Sequence, residues 1–186
     1  MQRKPLISVI VPVHNQEKYI GRCLRSLLDQ SLIRAMYEII VVNDGSTDKT
    51  LYALEIFKDE INILINKKNK GLSFSLNKGV ISAKGKYIIR VDSDDYVNRE
   101  FLNFLSIYLS LNSSIDAVCC DYYLVNDREI VLARKNGSKN PIACGIMFKK
   151  KQIINLGLYD SSFIVHEETD LRYRFLQKHT IANLPL

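Results

Sequence analysis

Four short apolar runs, at residues 7–11, 38–42, 61–65 and 87–91, are each followed by a polar stretch and then by a helical pattern. After the first, Tyr19, Cys23, Leu24, Leu27 and Leu28 form one apolar stripe of a helix expected over about residues 16–29. Further helices are expected over about 48–58, from a loop containing Gly71 through about 82, and over about 99–111. Ser46 or Asp48 is placed to cap the second. Apolar strands that alternate with helices predict an α/β fold with a mostly parallel central sheet flanked by helices. Ligands of such sheets bind at the carboxyl ends of the strands. His14-Asn15, Asn43-Asp44 and Asp92-Ser93-Asp94-Asp95 each follow a strand, so the three polar clusters are expected on one sheet edge.

The second half is less regular. It reads as a strand over 117–125, polar loops over about 126–140, a strand over 141–148, a short helix near Lys150, and an acidic segment from His166 to Asp170 that opens a last helix. The chain stops soon after Pro185 without a closing helix, which suggests a catalytic domain cut from a longer protein. No apolar run approaches the roughly 18 residues of a membrane span, and residues 6–13 read as a strand rather than a leader. A cytoplasmic location is expected, with peripheral attachment to an inner membrane face as the alternative. The net charge of +6 is spread over Lys67, Lys68, Lys70, Lys84, Lys86 and Lys149 to Lys151. That pattern suits a solvated surface, an anionic substrate such as a nucleotide diphosphate, or an anionic membrane face. With no basic helix, aromatic RNA-binding signature or zinc-finger spacing, nucleic acid is not the expected partner. Cys23, Cys119, Cys120 and Cys144 lack metal-ligand spacing and read as reduced core residues, with Cys119 and Cys120 on opposite faces of a strand.

Three acidic clusters carry the candidate chemistry. Asp92-Ser93-Asp94-Asp95 ends a deeply apolar strand, where a divalent cation, Mg²⁺ or Mn²⁺ shared with a diphosphate, offsets the repulsion of its carboxylates. A solvated turn capping the next helix is the alternative. Asp44 lies in a stretch, residues 43–48, that reads as an Asx turn and cap; a carboxylate there also suits the imide or amino protons of a base. Glu167 and Glu168 suit a helix dipole or, alternatively, a general base for an acceptor hydroxyl.

In order along the chain, residues 7–15, Asn43-Asp44-Gly45-Ser46-Thr47-Asp48, Asn69-Lys70-Gly71-Leu72-Ser73, Asn77-x-Gly79, Asp92-Ser93-Asp94-Asp95 and Glu167-Glu168-Thr169-Asp170 resemble the successive motifs of family 2 glycosyltransferases of the GT-A fold. The resemblance implies a single domain, with a nucleotide-sugar-binding half at about 1–98 and a smaller acceptor and catalytic-base half at about 99–186. It implies that Pro12, His14, Asn15, Asp44, Asn69, Gly71, Asn77, Asp92 and Ser93 serve a nucleotide-diphosphate sugar, UDP-type favoured, that Asp94 with Asp92 holds the divalent metal, and that Glu168, with Glu167 as second choice, is the base. The reaction implied is an inverting transfer to a saccharide or lipid-linked acceptor, in surface polysaccharide or glycoconjugate synthesis. Three departures stand out: Glu168 occupies the place of the family's usual Asp, Leu76 precedes Asn77 where an Arg is common, and the chain ends before a His often found farther on. A non-catalytic nucleotide-sugar-binding domain of the same fold is the main alternative. A sugar nucleotidyltransferase is the lesser one, because residues 12–17 lack the glycine-rich loop such enzymes use.

Overall fold

The computed structural model describes residues 4–163 and 165–185. Its main sheet runs β3-β2-β1-β4-β8-β5-β9. The parallel part consists of β1 (Ile7–Val13), β2 (Tyr37–Asp44), β3 (Asn62–Asn66) and β4 (Tyr87–Arg90). β8 (Met147–Lys149) then joins β4 and β5 (Ala117–Cys120) in antiparallel pairs, and β9 (Ile181–Leu184) runs parallel to β5.

Every residue of β1 and β2 is buried, as strands covered on both faces require. Their alternation sorts side chains into two cores. Val9, Val11, Ile39 and Val41 pack with α1 (Ile20–Leu28) and α4 (Phe101–Leu111). Ile10, Ile40 and Val42 pack with α3 (Leu72–Ser82), α5 (Lys150–Leu156) and α6 (Glu167–Leu176). Cys23, Leu24 and Leu27 supply the buried stripe of α1, as its spacing predicts, and each Leu buried this way contributes about 1.5–3 kcal/mol. α2 (Thr50–Glu55) is shorter than the 48–58 expected. It has no side-chain cap on its N-cap residue Lys49, although the Asp48 carboxylate does accept from the Thr50 N–H at 2.9 Å. Register sets the edge: Val13 lies opposite Asn43 and Ile10 opposite Arg90, so the residues after these strands emerge together.

The second half differs from its sequence reading. The strand expected over 117–125 is two strands in two sheets, because Asp121 interrupts it; its carboxylate accepts from the Gly137 N–H, Asn136 and Asn183. Beyond the break, β6 (Tyr122–Val125) pairs with β7 (Val131–Lys135), inside a stretch that reads as loop. The strand expected over 141–148 begins only at Met147. Pro141 offers no N–H, and Gly145 turns the chain at φ +81°. Cys119 and Cys120 do face opposite cores. No helix among the described residues is long and apolar enough to cross a membrane.

Candidate active site

At the carboxyl ends of β1 and β2, the chain is laced together through side chains. The His14 Nδ1–H donates to the Asp44 carbonyl at 2.8 Å, which leaves Nε2 to accept from Asn15. Asn15, at φ +53°, takes the Thr47 N–H on its side-chain oxygen at 2.8 Å, and its own N–H donates to the Ser46 hydroxyl. Between the same two loops the Glu17 N–H donates to the Asp48 carboxylate, and the Glu17 carboxylate accepts from the Lys49 N–H. Asn15 is thus spent on holding the 46–48 turn.

Asp44 is 3% exposed and organises the next loop. Its Oδ1 accepts from the Asn66 amide at 2.8 Å and the Lys70 N–H at 2.9 Å, and its Oδ2 accepts from the Gly71 N–H at 2.9 Å. Lys78 donates to the Asn66 side-chain oxygen, which orients that amide toward Asp44. A carboxylate has about four lone-pair sites, so one on Oδ2 stays open. Gly45 lets the two loops meet: it sits at φ +67°, and a Cβ there would lie 2.5 Å from the Lys68 carbonyl carbon.

The acidic run follows β4. Arg90 grips Asp92 with two donors, Nε to Oδ1 at 2.5 Å and Nη2 to Oδ2 at 3.2 Å, and reaches Glu167 with Nη1 at 2.9 Å. Burial disfavours the guanidinium charge, but the two carboxylates outweigh it and hold Arg90 firmly protonated. The Asp94 carboxylate is exposed, and Arg22 fixes its backbone carbonyl at 2.7 Å. Burial, then repulsion from Asp92, raises the Asp95 carboxyl above its ordinary range.

Pro12, Val13, His14, Gln16, Asp44, Asn69, Gly71, Leu72, Ser75, Arg90, Asp92, Ser93 and Asp94 line one cleft of about 280 Å³. Eight of the expected site residues therefore line this one cleft. Four stand elsewhere. Asn15 braces the turn, and Asn77 clasps the Tyr159 backbone, donating to its carbonyl at 2.8 Å and accepting from its N–H at 2.9 Å. Glu167 is 4% exposed beneath Arg90, whereas Glu168, half-buried, lines a second groove of about 360 Å³ with Ile142, Ile146, Tyr173 and Leu176.

The profile of glycosyl transferase family 2 matches residues 8–174. The chain belongs to this family. Among family 2 relatives, an uncharacterized glycosyltransferase of Haemophilus influenzae is 38% identical over 132 residues, 69% of this chain and 40% of that protein. The poly(ribitol-phosphate) beta-N-acetylglucosaminyltransferase TarS of Staphylococcus aureus is 36% identical over 110 residues, 58% of this chain and 19% of TarS. The chain thus spans less than half the length of these relatives. The crystal structure of TarS superposes with a TM-score of 0.80 at 26% identity, over 96% of this chain and 57% of that one. A mannosyltransferase of Pyrobaculum calidifontis, solved with GDP-Man and Mn²⁺, shares the fold at a TM-score of 0.77 and 20% identity, over 98% of this chain and 55% of that one. The architecture is GT-A.

For a family 2 chain, the donor set suits a shared rather than a caged metal. Among the described residues no group of three His, Cys, Asp or Glu side chains is arranged to enclose an ion. Asp92 and Asp94 nevertheless line the cleft together. One or two carboxylates completed by substrate phosphates is the usual way Mg²⁺ is held. Sequence reasoning missed Gln16, Ser75 and Arg90. For Arg90 a signal existed: a lone charge in an apolar strand, two residues before Asp92 and so on the same face.

Proposed function

We propose that this chain is the donor-binding and catalytic part of an inverting glycosyltransferase that uses a nucleotide-diphosphate sugar, UDP-type favoured. The observation that carries the reading is the shared cleft, lined by Asp44, Asn69 and Gly71 together with Asp92 and Asp94. TarS, whose structures have been solved with UDP and with UDP-GlcNAc at 26% and 25% identity, supports a uridine nucleotide. The open lone pair of Asp44 takes the imide N–H of the base, and His14 and Pro12 border the nucleoside. Asp94, with Asp92 beside it, would hold Mn²⁺ or Mg²⁺, which when bound would supply positive charge to offset that of a departing nucleotide diphosphate.

Residues 1–98 form the donor half and 99–186 the acceptor half of one catalytic unit. Glu168 is the base. It accepts the proton of the acceptor hydroxyl as that oxygen bonds to the anomeric carbon and the bond to the diphosphate oxygen breaks. Glu167, buried and engaged by Arg90, is out of reach of an acceptor. The groove beside Glu168 takes the acceptor, a saccharide or lipid-linked sugar in polysaccharide or glycoconjugate synthesis. Exposed Lys67, Lys68 and Lys70 border the donor loop and suit an anionic ligand or a membrane face.

A panel of UDP- and GDP-sugars tested by thermal shift with Mn²⁺, followed by transfer and donor-hydrolysis assays, tests the reading. At least one UDP-sugar is expected to raise the melting temperature and to be consumed. Stabilisation without turnover would favour a non-catalytic binding domain, and no stabilisation by any donor would refute the donor site.

A further inference from the structure

β4 alternates between the two cores, and Arg90 occupies the face that carries Ile88. Its register partner on β1, Ile10, is apolar, yet Arg90 is only 9% exposed. A charge is placed in such a site only when it is well paired. Here one guanidinium is shared between two carboxylates from distant parts of the chain: Asp92 directly after β4 and Glu167 at the start of α6. Among the described residues, Arg90 is the only side chain that donates to either carboxylate.

We propose that Arg90 is a positioning residue that ties the metal-side carboxylate to the helix carrying the base, so that the donor cleft and Glu168 keep one fixed geometry. The inference rests on the donor-site reading above. Consecutive helical residues point about 100° apart. Anchoring Glu167 on Arg90 therefore fixes the direction of Glu168 toward the second groove, where it lies. The adjacent glutamates divide the work: Glu167 is the anchor, and Glu168, whose carboxylate accepts from the neighbouring Thr169 hydroxyl at 3.2 Å, lines the groove. The planar fork explains why the residue is Arg, since three of its donors serve two acceptors at once, a geometry that a Lys ammonium does not reproduce.

The test uses Glu167→Gln, Arg90→Lys and the double variant Arg90→Met with Glu167→Gln, which leaves no glutamate charge buried alone beneath the lost guanidinium. UDP affinity in the presence of Mn²⁺ is read by calorimetry, KM and kcat by UDP-GlcNAc turnover, and folding by melting temperature. Glu167→Gln is expected to leave UDP affinity and KM unchanged while kcat falls at least roughly tenfold, because a neutral amide replaces the charge-assisted bond that anchors α6 and Asp92 keeps its own. The double variant should weaken UDP binding with Mn²⁺ by about tenfold as well, the scale seen when a partner orienting a metal ligand is removed. Arg90→Lys should restore the melting temperature but not kcat. Wild-type affinity and turnover in the folded double variant would overturn the inference, as would losses that follow melting temperature alone across the series. Wild-type protein that binds neither UDP with Mn²⁺ nor UDP-GlcNAc would instead refute the donor-site reading, and this inference with it.

Discussion

The strands β1 to β4 and the segment from residue 112 onward solve the same problem differently. In the first, β1, β2 and β4 are buried on both faces, and the loops that follow β1 to β3 are tied to each other by side-chain and backbone hydrogen bonds. In the second, β6 and β7 pair only with each other, and Tyr123, Val131 and Leu132 are more than half exposed. The contrast teaches that the proposed donor side is built into the sheet, while the proposed acceptor side is held on it by β8, by the packing of α5 and α6, and by side-chain ties such as Arg90 to Glu167 and Asn77 to Tyr159.

The sharpest way to break the comparison is at the base. Glu168→Gln should cut transfer by about 10²- to 10⁴-fold while the thermal shift with UDP and Mn²⁺ stays at the wild-type value. A variant with full transfer would place the base elsewhere. On the donor side, Gly45→Ala forces a Cβ against the Lys68 backbone at positive φ. It should cost about 1–3 kcal/mol in a denaturant titration and weaken UDP binding together with stability, because the Asp44-held loop must shift.

How much of this was legible in the sequence follows the same divide. The first four strands announce themselves because parallel strands are apolar throughout, and the polar motifs after them identify the edge. His14, Asp44, Asp92, Ser93 and Asp94 could be listed that way, and the family resemblance adds Pro12, Asn69 and Gly71. Asn77 could not be placed, because its spacing in the motif says nothing of the Tyr159 backbone, 82 residues away, that its amide clasps. The 117–125 segment looked continuous because Asp121 shows its effect only through partners at 136, 137 and 183. The resemblance ranks Glu168 above Glu167 by its place in the motif, and the burial of Glu167 under Arg90 supports that order.

Smaller effects sharpen the point. Asn77→Ala should lose about 1–3 kcal/mol of stability by leaving the Tyr159 backbone unpaired, yet UDP affinity per folded molecule should hold. A selective loss of UDP affinity would return Asn77 to the donor site. The Asp116 carboxyl is held below its ordinary range: burial would raise it, but hydrogen bonds from Gln152 and His179 and the charges of His179 and Lys149 outweigh that. A lowered folded-state pKa stabilises at pH above the unfolded carboxylate value of about 3.9 and is lost as pH falls through the folded value. Asp116→Asn should therefore lower the melting temperature at pH 7 and make little difference in strong acid, as melting curves across pH will show.

The central claim is that the cleft between Asp44 and Asp94 is a metal-assisted nucleotide-diphosphate site. Calorimetric titration of UDP into wild type and Asp94→Ala, each with Mn²⁺ and with a chelator, tests it most directly. Tight binding is predicted only for wild type with Mn²⁺, with the chelator and the Asp94→Ala substitution each abolishing the same increment. Equal UDP affinity in all four titrations would contradict it.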